Sequence, residues 1–290
     1  MNQGDLTGSD RIHSMDKVIY QGVVGAFSHI VARKYFADDA VFDGRVVHFR
    51  EIAKALKNAE ADYAVLPIEN TLAGSIYENY DNLVDFDLYV HGEYTLRIEH
   101  HLLGKSGTKI DDIQKVYSHA KALEQCEGFF DTHPAIEEVI TYDTAGAAKS
   151  VSERAGKHGA AIASAQAASA YELQILQKNI EDDPQNWTRF FIAATKPHAP
   201  TTANKCSLIF SVSHKPGSLF EALKVFADNN LNMSKIESRP IKGKPFEYYF
   251  YVDLEFEKDQ YENAKLALVQ LKNHTHYFKN LGFYIKCEIK

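Results

Sequence analysis

Short apolar runs alternate with amphipathic stretches along most of the chain, and this pattern predicts its elements. Val18-Ile19-Tyr20 reads as a strand. A glycine-containing turn, Gln21 to Ser28, leads into a helical segment from His29 to Phe36. Glu51 to Ala61 places Ile52, Ala55, Leu56 and Ala59 on one helical face. Tyr63 to Ile68 reads as a buried strand whose Pro67 predicts an edge or a strand end. Leu88 to Leu103 alternates through Val90, Tyr94, Leu96, Ile98 and Leu102, the period of strands. Val116 to His119 is a strand end opening a helix, Ala120 to Phe130, with Ser118 as a candidate N-cap. An Ala-rich helix over 145–155, a short strand at Ala160 to Ala163 and a helix over 165–176 follow. Phe190 to Ala194 is a further buried strand. Strand–helix alternation with polar residues at strand ends describes a parallel α/β architecture. The return strand comes after a second block of such units, so two lobes with a cleft between them are expected.

Thr195 to Asn204, with Pro197 and Pro200, reads as a linker, and the pattern changes beyond it. Strands are expected at Cys206 to Ser213, Leu231 to Ser238, Glu247 to Phe256 and Tyr284 to Glu288. Helices are expected at Ser218 to Asn229 and Gln260 to Asn273. This β-α-β-β-α-β order is a ferredoxin-like unit.

Composition narrows the class. A chain of 290 residues has room for two domains. Its net charge of −7, without a basic stripe, argues against a nucleic-acid partner. The same charge means that an anionic ligand must be captured by local positive groups. No apolar run reaches the ~20 residues that a bilayer requires, so no membrane role is expected. The stretch from Met1 to Lys17 is polar and lacks the apolar core of a secretion signal. It reads as a disordered leader, 1–16, with Met15 a candidate start. Cys126, Cys206 and Cys287 are too few and too widely spaced for a disulfide framework. A cytoplasmic protein is expected.

Several polar groups are candidates for chemistry. The acidic breaker Glu181-Asp182-Asp183-Pro184 precedes Asn186-Trp187-Thr188-Arg189-Phe190. Arg189 can grip a carboxylate with two parallel hydrogen bonds, and Thr188 can donate one. The same residues also describe a strand edge with a surface arginine. Gly22, Gly25 and Ser28 lie at a strand–turn–helix junction, where backbone N–H groups favour anions. The spacing matches neither a Walker loop nor a dinucleotide fingerprint, and a tight turn would need the same glycines. Glu69 and Asn70 follow a strand, where open α/β folds place ligands, although Asn70 also suits a helix cap. Gln125 lies two helical turns beyond Ser118 and would share its side of the helix. His100-His101 invites a metal, but adjacent strand residues face opposite ways, and no metal is expected.

Taken together, Tyr20-Gln21-Gly22-x-x-Gly25-x-Phe27-Ser28, Pro67-Ile68-Glu69-Asn70, Ser118-His119-x-x-Ala122-Leu123-x-Gln125-Cys126 and Asn186-x-Thr188-Arg189-Phe190 resemble the prephenate dehydratase family. The C-terminal part resembles an ACT regulatory domain. His214-x-Pro216-Gly217-Ser218-Leu219 is similar to its ligand-binding turn, and Glu237-Ser238-Arg239-Pro240 to the second motif of the phenylalanine-sensing version. Ser218 stands where that turn usually has Ala. Ala120-Lys121 replaces the Pro-Gln pair common after Ser-His, and Phe283 replaces the Ser of the closing motif.

The resemblance implies a two-lobed catalytic domain like that of periplasmic binding proteins, over 17–196, with lobe one about 17–95 plus the return strand 186–196 and lobe two about 96–185. A linker at 197–204 and an ACT domain at 205–290 complete the expected layout. The implied reaction turns prephenate into phenylpyruvate, carbon dioxide and water. Aromatisation drives it, so neither cofactor nor metal is implied. By resemblance Thr188 is the leaving-group donor, and Asn70, Ser118, Gln125 and Thr144 orient the substrate. Glu69 is a further catalytic candidate. Arg189, the turn at Gly22 and Gly25, Ser28 and Phe190 are the implied substrate-binding groups. L-phenylalanine is the implied effector, bound by His214, Pro216, Gly217, Ser218, Leu219, Asn232, Glu237, Ser238 and Arg239 in a homodimer or homotetramer joined through ACT domains. The competing expectation is a two-lobed amino-acid-binding sensor without catalysis.

Overall fold

The computed structural model describes residues 15–45, 48–154 and 156–288. The expected leader lies outside them but for Met15 and Asp16. The chain opens with β1 (Lys17–Gln21), α1 (Phe27–Tyr35), β2 (Val41–Arg45), α2 (Phe49–Lys57), β3 (Tyr63–Asn70), β4 (Gly74–Ser75), α3 (Tyr77–Asp85) and β5 (Tyr89–Arg97). The strand β11 (Trp187–Ala194) returns to this first sheet, whose order is β2-β1-β3-β11-β5 with β4 against β3. β1 runs parallel to both β2 and β3. Val18, Ile19, Tyr20, Ala64, Val65 and Leu66 are all buried, so these strands read as continuous apolar runs rather than alternating ones.

Pro67 is not at an edge or an end, as expected, but inside β3. The ladder with β1 ends at Val65, so the missing N–H of Pro67 falls beyond it. Its carbonyl accepts from Asn79 Nδ2 at 2.7 Å. The strand therefore extends to Asn70 and carries Glu69 and Asn70 within it.

The second sheet is built from β6 (His101–Gly104), β7 (Lys115–His119), β8 (Glu137–Thr141), β9 (Gly159–Ala163) and β10 (Gln174–Gln177), in the order β10-β6-β9-β7-β8. Its helices are α4 (Ala120–Glu124), α5 (Glu127–Thr132), α6 (Thr144–Glu153) and α7 (Ala165–Ala170). β7 is parallel to β8 and β9, whereas β6 is antiparallel to β9 and β10, so this sheet is mixed rather than parallel. The helix expected over 165–176 stops at Ala170. Glu172 adopts a positive φ of 54°, which ends the helix and turns the chain into β10.

Side chains alternate across this sheet. Leu102 and Ile162 pack with Leu123 and Phe130 on one face. Leu103, Ala161 and Ala163 pack with Ala145, Ala148 and Ala167 on the other. The second face is lined by alanines and admits a backbone. Ala26 of the β1–α1 loop joins it. Ser164 Oγ donates to Gly25 O at 2.7 Å, and Tyr171 Oη donates to Val24 O at 2.8 Å. The first-sheet loop is thereby fastened to the second sheet's helix.

Beyond β11 come β12 (Lys205–Ser211), α8 (Ser218–Asp228), β13 (Asn232–Pro240), β14 (Tyr248–Glu255), α9 (Tyr261–Leu271) and β15 (Tyr277–Tyr284). Their sheet has the order β13-β14-β12-β15, antiparallel throughout. Leu208, Phe210, Ala222, Phe226, Val252, Leu254, Ala264 and Leu268 form its core. The last strand is Tyr277–Tyr284, not the expected Tyr284 to Glu288. The pairing with β12 slips between Ser207 and Leu208, leaving Leu281 as a bulge. The bulge breaks the period-2 pattern that would have revealed the strand. By contacts the chain divides into the residues up to Asn82 with Tyr94–Phe190, and Leu83–Glu93 with the rest from Phe191 onward. Within the second unit Lys205 Nζ donates to both carboxylate oxygens of Glu93, at 3.0 and 3.1 Å.

A Cβ at Gly25 would lie 2.6 Å from Ala167 Cα, and its φ is +89°. Gly25→Ala should therefore cost about 2–3 kcal/mol. Calorimetry should show a Tm lower by about 5–10 °C, and an unchanged Tm would mean that the junction is not tight.

Candidate active site

A cavity of about 600 Å³ opens within the first unit. Its walls are largely helix beginnings. Ala26, Phe27 and Ser28 come from the start of α1, His48 and Phe49 from α2, Ile76 and Glu78 from α3, His119 and Ala120 from α4, and Asp143 and Thr144 from α6. Helix N-termini carry partial positive charge and unpaired N–H groups, so their convergence favours an anion despite the net negative chain. Glu78 and Asp143 oppose this field, and Asp143 Oδ1 is engaged by the N–H of Gly146 as the α6 cap.

Five side chains tie the walls together. Asn70 Oδ1 accepts from the N–H groups of Leu72 and Ala73, at 3.0 and 2.8 Å. That assigns the amide nitrogen to the other side, where Asn70 Nδ2 reaches Asn186 Oδ1 at 2.7 Å, Thr188 Oγ1 at 2.9 Å and Trp187 O at 3.1 Å. Asn186 Nδ2 then donates to Gln125 Oε1 at 2.9 Å. His100 Nε2 lies 3.0 Å from the same oxygen. Asn70 and Thr188 lie on strands of the first sheet and Gln125 at the end of α4, which packs on the second, so the network spans both sides of the cavity. Thr188 Oγ1 accepts from Asn70 and therefore keeps its own proton for another acceptor. Thr188 lines the cavity with Asn70, Gln125, Thr144, Ser28 and Phe190.

Other sequence-predicted groups lie elsewhere. Ser118 sits in β7, fully buried, and its Oγ donates to Ile162 O at 2.7 Å. It is not the cap of α4. His119 is, with Nδ1 accepting from Lys121 N at 3.2 Å. α4 ends at Glu124, so the two-turn spacing from Ser118 to Gln125 is not helical throughout, and the two do not share a face. Arg189 and Glu69 are each one residue from a cavity-lining group on a strand, which turns them to the opposite side. There they pair, Nη2 to Oε2 at 2.8 Å. The N–H of Gly22 donates to Arg45 O at 2.8 Å, that of Gly25 to His29 Nδ1 at 3.2 Å, and that of Ala26 to Val23 O at 3.0 Å. These amides therefore have partners within the chain. Gly25 is required by the close approach described above.

None of His48, His100, His119, Lys121, Tyr142 and Asp143 was expected in the site, and all of them line the cavity. His100 lies in the link between β5 and β6, outside any strand, so alternation gave no guide to it. Among the described residues, no three of His, Cys, Asp and Glu are placed to share a metal ion. Nor, among them, is any helix long and apolar enough to cross a membrane.

The expected effector groups divide. The turn at His214, Pro216 and Gly217 leads to Ser218 and Leu219 at the start of α8, and Gly217 takes the left-handed φ of 84°. Phe210, Phe250 and Ser238 are in register, so Glu237, Ser238 and Arg239 lie at the same end of the sheet as that turn. Asn232 is in register with Glu255 and Lys205 at the opposite end. Within one chain it stands apart from the rest.

The model of the prephenate dehydratase family matches residues 18–198. The chain belongs to that family. An ACT-domain model matches residues 207–267, so a regulatory module follows the dehydratase domain, and the family makes the protein a lyase. The chain is 40% identical to arogenate dehydratase/prephenate dehydratase 2, chloroplastic, of Arabidopsis thaliana, over 98% of this chain and 76% of the relative. A solved prephenate dehydratase from Arthrobacter aurescens, in complex with L-Phe, superposes with a TM-score of 0.82 at 26% identity, covering 93% of this chain and 90% of that one. GqqA, described as a novel type of quorum quenching acylase, superposes with a TM-score of 0.82 at 32% identity, covering 93% and 97%.

Burial lowers the pKa of His29, His100 and His101 below the usual histidine value. The folded chain therefore binds fewer protons than the unfolded chain as pH falls through about 6.5. The stability that these neutral rings contribute is present above that pH and is lost below it. Melting temperatures should fall on acidification from about pH 7 to 5.5, and His100→Gln should flatten the slope. A Tm that rises over this window contradicts the assignment.

Proposed function

We propose that the cavity decarboxylates and dehydrates prephenate to phenylpyruvate. The substrate is a dianion with one carboxylate on the ring and one on the pyruvyl side chain. As the ring carboxylate leaves as carbon dioxide, its bonding electron pair enters the ring. The bond between C4 and the hydroxyl breaks, and that oxygen departs with one added proton as water. Atoms and charge balance when the dianion takes up one proton and releases phenylpyruvate as a monoanion.

Departure of hydroxide is the difficult part, and Thr188 assists it. Its Oγ1–H hydrogen-bonds to the leaving oxygen as negative charge develops there. A threonine hydroxyl is a weak acid, so the help comes from placement. Asn70 supplies that placement, and its N–H stabilises charge that builds on Oγ1 as the proton is shared. Gln125 at the end of α4 and Thr144 at the start of α6 orient the substrate. The N-terminus of α1 offers N–H groups to a carboxylate, a role first expected of Arg189, since those of α2 and α6 are already met by Glu78 and Asp143. Phe190 and Phe27 supply apolar contact for the ring. The observation that carries this reading is the 2.9 Å bond from Asn70 Nδ2 to Thr188 Oγ1, which leaves the threonine proton for the cavity.

L-phenylalanine is the proposed effector. The turn at Gly217 and the Glu237–Arg239 stretch form one half of its site. Asn232 lies at the far end of the same sheet and joins that half only from a second copy, which supports a homodimer or homotetramer through the ACT domains. A cytoplasmic location is proposed, although the Arabidopsis relative is named as chloroplastic.

Incubation with prephenate should produce phenylpyruvate, and addition of L-phenylalanine should change the rate. Saturable amino-acid binding without any loss of prephenate would instead favour the non-catalytic sensor.

A further inference from the structure

This inference rests on the dehydratase reading and concerns which acid the cavity accepts. Lys121 is the only lysine or arginine among the described residues lining the cavity. Arg189 faces the other way and pairs with Glu69. Glu78 and Asp143 both line the cavity, so the fixed side-chain charge is not otherwise cationic. Lys121 also stands where the resemblance leads one to expect glutamine. The chain has therefore placed a full charge where a neutral amide is usual. Its Nζ is 2.6 Å from Glu124 Oε2, one turn along α4, and Glu124 does not line the cavity. The partner partly screens the ammonium but leaves its side chain 60% exposed.

We propose that Lys121 makes the site select prephenate over arogenate. The two acids differ at one position: arogenate carries an ammonium group where prephenate has a ketone oxygen. Both present two carboxylates. In arogenate the ammonium offsets one of them and is itself repelled by Lys121. A cation in the cavity wall thus attracts the dianion more than the acid of lower net charge, and its absence removes that difference. The relevant distances span an exposed region, so added salt weakens the preference.

The test compares kcat/KM for prephenate and for arogenate in the full-length protein. If arogenate is not turned over, its inhibition constant against prephenate is used instead. Lys121→Gln should lower the prephenate-to-arogenate ratio by about fivefold to tenfold, mostly through loss on prephenate. Glu124→Gln frees the ammonium from its partner and should raise the ratio. Raising NaCl from about 50 to 500 mM should shrink the wild-type ratio while leaving that of Lys121→Gln nearly unchanged. Both positions are exposed, and an unaltered Tm checks that the variants fold. Ratios that stay within twofold of wild type in both variants overturn the proposal. A wild-type protein that consumes neither acid defeats the dehydratase reading itself, a result distinct from an unchanged ratio.

Discussion

Asn70 has a single side-chain amide and two pieces of chain to hold. Its oxygen closes the turn at Leu72 and Ala73, and its nitrogen reaches across to Asn186 and Thr188. Because the oxygen is taken by backbone donors, the nitrogen must be the atom that meets Thr188. The threonine oxygen is then an acceptor towards Asn70, and its proton is directed elsewhere. One amide orientation thus sets the polarity of the hydroxyl in the cavity. Gln125 extends the chain of bonds to the end of α4, which packs on the second sheet, so the site can hold this geometry only while both sheets keep their places.

The β1–α1 loop is held against the second sheet's helix by a close backbone approach and by side-chain hydrogen bonds. Gly25 lies against Ala167 with no room for a Cβ, and Ser164 and Tyr171 fasten the neighbouring carbonyls. The alanine-lined face of the second sheet is what permits this approach. The same contact brings the start of α1 to the cavity wall. Fold and site therefore share one requirement: small residues where the β1–α1 loop meets α7. In the second unit, the buried Glu93–Lys205 pair joins the segment 83–93 to β12.

The ferredoxin-like unit was legible because its strands and helices follow a β-α-β-β-α-β order, and the α/β pattern because strands of the first sheet are continuous apolar runs between amphipathic helices. Val18–Tyr20 and Tyr63–Ile68 illustrate this. The final strand was misplaced because the bulge at Leu281 destroys the alternation. The second sheet was expected to be parallel because β6 was read within one long strand stretch and β10 as the end of a helix. In the site, Asn70, Gln125, Thr144 and Thr188 were named from the sequence and meet in one cavity. Ser118 and Arg189 were named with them and face elsewhere. Spacing along a chain cannot say that α4 ends after five residues, nor which strand parity faces a cleft. Lys121 was visible as a departure from the family pattern, but only the fold brings it to the cavity.

The central claim is that a hydroxyl held by Asn70 donates to the leaving oxygen. Replacement of Thr188 by serine, which keeps that hydroxyl, and by valine, which keeps the shape without it, isolates the donor. Turnover at saturating prephenate should stay within about tenfold of wild type for Thr188→Ser and fall by about 10²-fold or more for Thr188→Val, with KM little changed. A Thr188→Val protein that folds and turns over prephenate at the wild-type rate would contradict the account.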